Sequence, residues 1–435
     1  MKAIRKTFNT LILFALVALL CSSCSFIDFF STDSLIRPPK LTGENALIQQ
    51  AFENAVGTDV MLISPMAGEF RSAFVQYDIN RDGKEETLVF YSRTESPNEA
   101  HLHLLRFNGE DWYSAGDMTG NGSDVYSVAF HELDRESDLE IAVSWTVSDS
   151  KRNKTLSLYK LSSSDEGERI DQLSVVQIYD YMVGDFDFDG QQELLYLMDN
   201  SADTEQPFKA SIIKMDPDAG AFTFVCELRL SLTVNVPVKM CFDIRDGHYR
   251  LYIDCQNYDG SYMTEVLWFD TAELVLKRLQ DEEGKSISDL TSRSAPAFSQ
   301  DVNNDRIIEF PVQQFYENSV VYTKDPDGEA PMPVITFARC EGNTIKYLNR
   351  TYFYATEGEF RFRMDSFADQ YTAAYDTAEK ELRFYQLDSS DLPVFTAKYV
   401  SEEPQSQDVV IRISKSAAVA SGLTEEQIRR FVDII

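Results

Sequence analysis

A nine-residue acidic loop recurs along this 435-residue chain, each time directly before a run of β-branched, aromatic and other apolar residues. The loop has acids at positions 1 and 5, Asp, Asn or an acid at position 3, usually Gly at position 6 and Glu at position 9. Three copies keep the pattern well, and their oxygen-bearing residues are Asp78, Asn80, Asp82 and Glu86, then Asp185, Asp187, Asp189 and Glu193, then Asp301, Asn303, Asp305 and Glu309. Such a period constrains the fold strongly, because each unit is one supersecondary element that stacks on its neighbours.

The spacing of the loops indicates two weaker copies. The strong loops begin at residues 78, 185 and 301 and a decayed one begins at 132, so consecutive loops lie 54, 53 and 116 residues apart. The last interval holds two units, and a shortened turn at residues 243–247 stands where the missing copy is expected. The chain therefore contains five units of about 55 residues.

Each unit also repeats a rhythm of strands and turns. The first unit has four β-rich runs, Ala73–Tyr77, Glu86–Tyr91, His101–Phe107 and Trp112–Ala115, and Asn108-Gly109 predicts a hairpin between the last two. Four strands per unit are typical of a propeller blade. The sequence thus predicts a mainly β fold, a β-propeller of about five four-stranded blades. Six or seven blades are alternatives, with the Asp59–Ser64 run contributing to a sixth if the ring closes by sharing strands.

The acidic loops resemble the FG-GAP/VCBS repeats of integrin-α-type propellers, in which this loop joins the first two strands of a blade and binds calcium. The resemblance implies structural Ca²⁺ held by the twelve residues named above. The chemistry agrees, since Ca²⁺ takes six to eight oxygen ligands. The copies at 132 and 243 depart from the pattern, and Arg306 replaces Gly at position 6 of the last loop. The alternative is that the side chains accept hydrogen bonds from their own loop backbone, without metal.

The N-terminus has the pattern of an export signal. A basic start with Lys2, Arg5 and Lys6 precedes ten apolar residues, Leu11–Leu20, too few for a membrane span but enough for a signal peptide. The following Cys21-Ser-Ser-Cys24 resembles the lipobox of bacterial lipoproteins, which implies cleavage before Cys24 and its lipidation. The chain is thus expected on the extracytoplasmic side of the cell membrane, anchored by lipid. An ordinary cleaved signal peptide is the alternative.

The sequence predicts five segments: a signal peptide at 1–23, a spacer at 24–41, an N-terminal helix at 42–57, the propeller at 58–347 and a small α+β domain at 348–435. The helix is expected to pack on the propeller rim and to stop at Gly57. The last domain should close with a helix whose capping box is formed by Thr424 and Gln427. This domain is similar to the C-terminal module of uncharacterised lipoproteins with VCBS-like repeats.

Charge and cysteine content limit the classes of partner. The formal net charge is −31, and cleavage of the signal would remove three basic residues and change it to −34. A field this negative disfavours nucleic acids and anionic lipid surfaces as partners. Four cysteines follow the anchor, Cys226, Cys241, Cys255 and Cys340, and they are compatible with two disulfides or with buried free thiols.

No catalytic residue is assigned, because the common nucleophile, zinc-protease and nucleotide motifs are absent from the sequence. His101 and His103 share one face of a strand and could ligate a metal, although such pairs are commonly packing residues. Two functions remain. The first is a non-catalytic binding or scaffolding module for a protein or glycan ligand. The alternative is a calcium-dependent surface enzyme acting on polysaccharide, which four His and 40 Lys and Arg residues make less favourable.

Overall fold

The computed structural model describes residues 43–435 except 137, 148–151, 153, 165–166, 201–207, 218, 323–328, 356–358, 368, 388–391, 403–405 and 415–423. The predicted signal peptide, Cys24 and the spacer lie outside the described residues. The described chain is mainly β, as the sequence predicts. None of its described helices has both the length and the apolar character needed to cross a membrane.

The first sheet contains five strand segments. A helix, α1 (Glu44–Val56), precedes them, and the strands are β1 (Val60–Leu62), β2 (Phe74–Tyr77), β3 (Glu86–Arg93), β4 (Ser96–Phe107) and β5 (Trp112–Thr119). β2 pairs with only the first half of β3, and β1 pairs with the remainder, Leu62 opposite Tyr91. The Asp59–Ser64 run therefore completes the first sheet and does not begin a sixth one. β2 has four residues and β3 has eight, so part of β3 needs a second pairing partner, which β1 supplies.

Three further sheets follow, each with four antiparallel strands in chain order. The second contains β6 (Asp124–His131), β7 (Glu140–Thr146), β8 (Lys154–Ser164) and β9 (Gly167–Ile178). The third contains β10 (Asp180–Gly184), β11 (Glu193–Asp199), β12 (Phe208–Asp216) and β13 (Ala221–Arg229). The fourth contains β14 (Val234–Arg245), β15 (His248–Asn257), β16 (Tyr262–Asp270) and β17 (Val275–Arg278). These are the four-stranded units that the repeat predicts.

Successive sheets pack face to face through their alternating apolar residues. Leu88 and Phe90 of the first sheet meet Ile141 and Trp145 of the second in one core cluster. Equivalent clusters join the second sheet to the third, the third to the fourth, and the fourth to the strands that follow. The units therefore form a continuous series of packed layers.

Helix α1 covers the outer face of this series. Its buried Ile48 and Phe52 pack against Val89, Tyr91 and Leu105, which alternate with the residues that face the second sheet. The sequence predicts that the helix packs on the rim, and the described contacts place it on the outer face of the first sheet, against β4 and its last strand β5. Among the described residues, no core cluster joins the first sheet to the fifth unit.

The fifth unit continues into a nine-stranded sheet. Its strands are β18 (Phe310–Tyr322), β19 (Glu329–Glu341), β20 (Thr344–Tyr354), β21 (Phe360–Arg363), β22 (Tyr371–Asp376), β23 (Glu381–Gln386), β24 (Phe395–Glu402), β25 (Ser406–Ile413) and β26 (Val432–Ile434). The order is β25-β24-β23-β22-β18-β19-β20-β21-β26, and the β18–β22 pair is parallel. Residue 347 lies inside β20, so the sheet is continuous across the expected domain boundary.

The C-terminal part of this sheet encloses an aromatic core, in which Phe362, Phe384 and Phe395 belong to one cluster. Its described α-helix, α2 (Glu425–Arg429), is one short segment, so this region contains less helix than an α+β domain suggests. α2 begins at the predicted capping box of Thr424 and Gln427. All four cysteines of the body are free thiols within strands.

A buried ion pair anchors the long connection between β17 and β18. The side chains of Asp254 and Arg293 are both fully buried, and Arg293 Nη2 lies 3.0 Å from Asp254 Oδ1. Asp254 Oδ2 also accepts a hydrogen bond of 2.7 Å from the backbone N–H of Ser299. Arg293 and Ser299 thus attach the connection to Asp254 of the fourth sheet at two points.

We expect Arg293→Met to lower the free energy of unfolding by about 3–5 kcal/mol, because it leaves the Asp254 carboxylate buried without its partner. Urea unfolding followed by tryptophan fluorescence would measure this. The control is Arg430→Met, where the arginine is exposed and a change within about 0.5 kcal/mol is expected. Equal midpoints for the two variants would contradict the anchoring role.

Candidate functional site

The three strong loops share one backbone conformation. In each loop the Asp at position 1 accepts hydrogen bonds from the backbone N–H groups of positions 5 and 6. For Asp185 the donors are Asp189 at 3.1 Å and Gly190 at 3.0 Å. The same pairs of bonds form at Asp78 and Asp301. The loop side chains therefore bind their own backbone, which is the alternative that the sequence left open beside calcium.

The left-handed residues of each loop make this conformation possible. Position 4 has φ between 56° and 63° in the three strong loops. At position 6, Gly83 and Gly190 have φ 87°, a conformation that glycine adopts without strain. Arg306 has φ 67° at the same position, which costs a non-glycine residue about 1–2 kcal/mol. The departure at Arg306 thus strains the loop without changing its path.

The Glu at position 9 closes each loop. Its Oε2 atom accepts a hydrogen bond of 2.7–3.0 Å from the backbone N–H of position 2, and this holds also for the decayed copy. The four residues are Glu86, Glu140, Glu193 and Glu309. Each is almost completely buried, and burial raises the pKa of all four carboxyl groups above the ordinary value.

A basic side chain from the third strand of the unit enters each acidic loop. In the third sheet this is Lys214 on β12, whose Nζ lies 2.7 Å from Asp187 Oδ2, 2.9 Å from Asp189 Oδ2 and 2.8 Å from Glu193 Oε1. Burial alone would lower the pKa of Lys214, but these three carboxylates raise it above its ordinary value. The ammonium group therefore stays charged at the centre of the loop.

The same arrangement occurs in the other acidic loops, and we call the four basic residues the loop cations. Arg106 Nη2 lies 3.0 Å from Glu86 Oε1, Lys160 Nζ lies 2.7 Å from Asp134 Oδ2 and 2.6 Å from Glu136 Oε2, and Arg339 Nη1 lies 2.8 Å from Asp305 Oδ2. In the fourth unit the acidic loop is reduced to the Asp246-Gly247 turn. Trp268 lies on the third strand, opposite Arg250, at the end of the strand where the other units have their loop cation. The full set of loop acids and the basic residue of the third strand are thus both missing in that unit, where Asp246 pairs instead with Arg250 of the second strand at 3.1 Å.

The loop cations can be recognised in the sequence by their interval from the loop, although the acidic motif alone does not include them. Arg106, Lys160 and Lys214 lie 28, 28 and 29 residues after the first position of their loops. In the last unit the interval to Arg339 is 38 residues, because the β18–β19 hairpin is longer. The repeated element is therefore an acidic loop with its own basic residue.

Among the described residues, the Asp185 loop brings a group of acidic side chains close enough to share a metal ion. There the ligand atoms of Asp185, Asp187, Asp189 and Glu193 lie within 4.8 Å of one another. The donor set suits a hard cation. However, Lys214 already contacts three of these four carboxylates, so an ion would have to displace the ammonium group. Calcium binding stays a prediction in all three strong loops.

Neighbouring loops also contact one another. Arg81 in the first loop forms an ion pair of 2.7 Å with Glu132 in the second, and Arg135 in the second forms one of 3.0 Å with Asp189 in the third. Gln191 donates a hydrogen bond of 3.0 Å to the carbonyl oxygen of Leu133. The first three loops consequently lie side by side along one edge of the stacked sheets.

His101 and His103 lie on one face of β4, as the alternation predicts, and both are buried beneath α1. His103 Nδ1 lies 3.1 Å from Asp117 Oδ1, and Tyr91 donates a hydrogen bond of 2.9 Å to the same oxygen. The ring of Phe52 packs edge-on against His103. These contacts place the pair in the packing of the helix on the first sheet.

Comparison with models of known protein families gave no match, and comparison with curated proteins gave no significant match. The resemblance to FG-GAP/VCBS repeats therefore depends on the loop residues themselves.

We expect Lys214→Met to lower the free energy of unfolding by about 2–3 kcal/mol, less than for a fully buried pair because the side chain is partly exposed. We also expect millimolar Ca²⁺ to restore part of the lost stability, since the four carboxylates become free to bind it. Thermal unfolding with calcium and with chelator would measure both effects.

The matched control is Lys277→Met, which removes a lysine that contacts two carboxylates at the surface. This variant should show neither the loss nor the response to calcium. A Lys214→Met variant that unfolds like the wild type in both buffers would contradict the role of the loop cation.

The titration of Glu140 should contribute to the pH dependence of the free energy of unfolding. Burial, with the nearby Asp134 carboxylate, raises the pKa of Glu140 from 4.5 to about 7. The folded state then binds this proton more tightly than the unfolded state, so its contribution to stability is lost as the pH rises from 4.5 to about 7. We expect Glu140→Gln to remove that loss. Urea unfolding at several pH values would measure this. An equal change in the free energy of unfolding with pH for the wild type and Glu140→Gln would contradict it.

Proposed function

We propose that this chain is a lipid-anchored, extracytoplasmic and non-catalytic binding or scaffolding module. The repetition of one acidic loop that is paired with its own basic residue carries the proposal. Four acidic loops are each held by a loop cation of the same unit, and three of them also contact each other in series. The conspicuous acids of the chain thereby stiffen a repeated body. A long body of this kind suits the presentation of surfaces to a partner.

The body is proposed to be an open, propeller-like array. Stacked four-stranded antiparallel sheets joined in chain order support the blade assignment. Helix α1 covers the outer face of the first sheet, which is the face that ring closure would use. The last blade merges with the C-terminal sheet. In this proposal the helix and the C-terminal sheet protect the two ends of the array, as capping elements do in repeat proteins.

The location of the protein is proposed from the N-terminal sequence. The basic start, the short apolar run and Ser23-Cys24 support export and attachment through the lipidated Cys24. The negative net charge makes an electrostatic attraction to anionic lipid unfavourable, so the lipid itself supplies the attachment. The partner is then a protein or glycan outside the cytoplasm.

We expect Cys24→Ser to move the protein from the membrane fraction to the soluble fraction, or to leave the uncleaved precursor, because no thiol is left to receive the lipid. Cys21→Ser is the matched control and should remain in the membrane fraction. Fractionation of the expressing bacteria and the intact mass of the product would measure both. The same fractionation for wild type and Cys24→Ser, with no lipid mass on the wild type, would contradict the anchor.

A further inference from the structure

A cleft opens at the ends of the third and fourth sheets that lie opposite the acidic loops. In a series of antiparallel strands, alternate turns lie at opposite ends. The connection from β13 to β14 and the turn from β15 to β16 therefore share the end away from the β14–β15 turn. They form two walls of the cleft, and the residues around Asp289 form the third. The cleft has two connected lobes of about 410 and 580 Å³, within the size range of small-molecule sites.

Hydroxyl, amide and carboxylate groups line the larger lobe. The polar residues that the argument uses are Ser231, Thr233, Asn257, Asp259, Ser261 and Asp289. No basic side chain lines this lobe among the described residues, although Arg229 and Arg278 line the smaller one. Such a surface offers both donors and acceptors to a ligand that is itself rich in hydroxyl groups.

Asn257 lines this cleft with a side chain that is almost completely buried. Its side chain is only 7% exposed, and its Nδ2 donates a hydrogen bond of 2.9 Å to Ser261 Oγ. Its Oδ1 accepts no hydrogen bond from any residue that the structure describes. That oxygen is itself enclosed, so the polar groups left for a ligand are the other hydroxyl and carboxylate groups that line the lobe.

Tyr258 presents an aromatic surface beside Asn257. It is 66% exposed, although its backbone N–H is fixed by a hydrogen bond of 3.1 Å to the carbonyl oxygen of Thr233. Leu232, from the facing connection, is 64% exposed. An exposed aromatic ring among hydroxyl groups suits a ligand that has an apolar face and a polar periphery, as a sugar ring has.

The walls of the cleft are held in place by buried contacts. Thr291 Oγ1 accepts a hydrogen bond of 2.8 Å from the backbone N–H of Thr264. Two residues further, the buried Arg293 pairs with Asp254 of the fourth sheet. Ser231 donates its backbone N–H to Glu265 Oε1, which itself pairs with Arg278. A preformed site loses little conformational entropy on binding.

We propose that this cleft, which we call the Tyr258 cleft, binds a short neutral oligosaccharide. The inference rests on the proposed function, since it names the ligand of a binding module. The sugar ring stacks on Tyr258, and its hydroxyl groups bond to the carboxylates of Asp259 and Asp289. The acidic lining and the net charge of −31 disfavour a uronic acid in the same place.

The test uses the lipid-anchored protein in detergent and five probes: cellotriose, xylotriose, mannotriose, chitotriose and, as the acidic probe, digalacturonate. Calorimetry is done with the wild type, Tyr258→Ala and the control Tyr347→Ala, a tyrosine on β20 that is 47% exposed. We expect at least one neutral probe to bind the wild type and Tyr347→Ala equally. We expect Tyr258→Ala to weaken that binding about tenfold or more.

Three outcomes would overturn the inference: no neutral probe binds, digalacturonate alone binds, or Tyr258→Ala binds as the wild type does. Since Tyr258 is exposed, its variant should fold, and thermal unfolding would verify this. Chromatography of the probe after incubation separates the two proposals. A cleaved probe contradicts the non-catalytic function, whereas binding that depends on Tyr258 still supports the cleft. Failure of the cleft leaves the anchored scaffold to be tested through Cys24.

Discussion

The ion pairs between the acidic loops and the loop cations are the interaction on which four of the five repeated units depend. Each loop concentrates carboxylates at the start of the second strand of its unit, and the one at position 9 is buried. Buried carboxylates that lack a counter-charge destabilise a fold strongly. Lys214 shows how the charge is compensated, because one ammonium group contacts three carboxylates that surround it. One lysine thus balances part of the charge that these acids bring to the start of the second strand.

This arrangement separates two kinds of chemistry in the molecule. The acidic loops lie at one end of the strands, where contacts such as Arg81–Glu132 connect one unit with the next. The Tyr258 cleft lies at the opposite end, between the third and fourth sheets. The fourth unit is the one in which the acidic loop has been reduced to a two-residue turn. One end thus provides stiffness, and the other is left for a ligand.

Local patterns predicted much of the fold. The four-stranded units, the capping box at Thr424 and the helix Glu44–Val56 lie where the sequence indicates them, because each depends on neighbouring residues. The hairpin at Asn108-Gly109 also forms, but only Gly109 has a positive φ. The backbone N–H of Asn108 donates to the carbonyl oxygen of Asp111, and its side-chain oxygen accepts from the backbone N–H groups of Glu110 and Asp111. Here the side chain of Asn108 decided the turn geometry.

The features that the sequence did not indicate are contacts between distant residues. The position of α1 depends on which sheet face is left uncovered, and the role of Val60–Leu62 depends on the length of β2. The loop cations lie 28, 28, 29 and 38 residues after the first position of their loops, on a strand that reads as an ordinary apolar run. The cleft combines three chain segments. Periodicity identifies units, but only packing shows which side chains of a unit meet.

The most direct measurement is a crystal structure from crystals grown in calcium chloride. We predict density for the Lys214 ammonium group 2.7–2.9 Å from the carboxylates of Asp187, Asp189 and Glu193, with no ion among them. The contradictory result is an anomalous peak in that loop with six to eight oxygen ligands at about 2.3–2.6 Å and Lys214 turned away. That result would make calcium, and not the chain's own lysine, the cation of the loop.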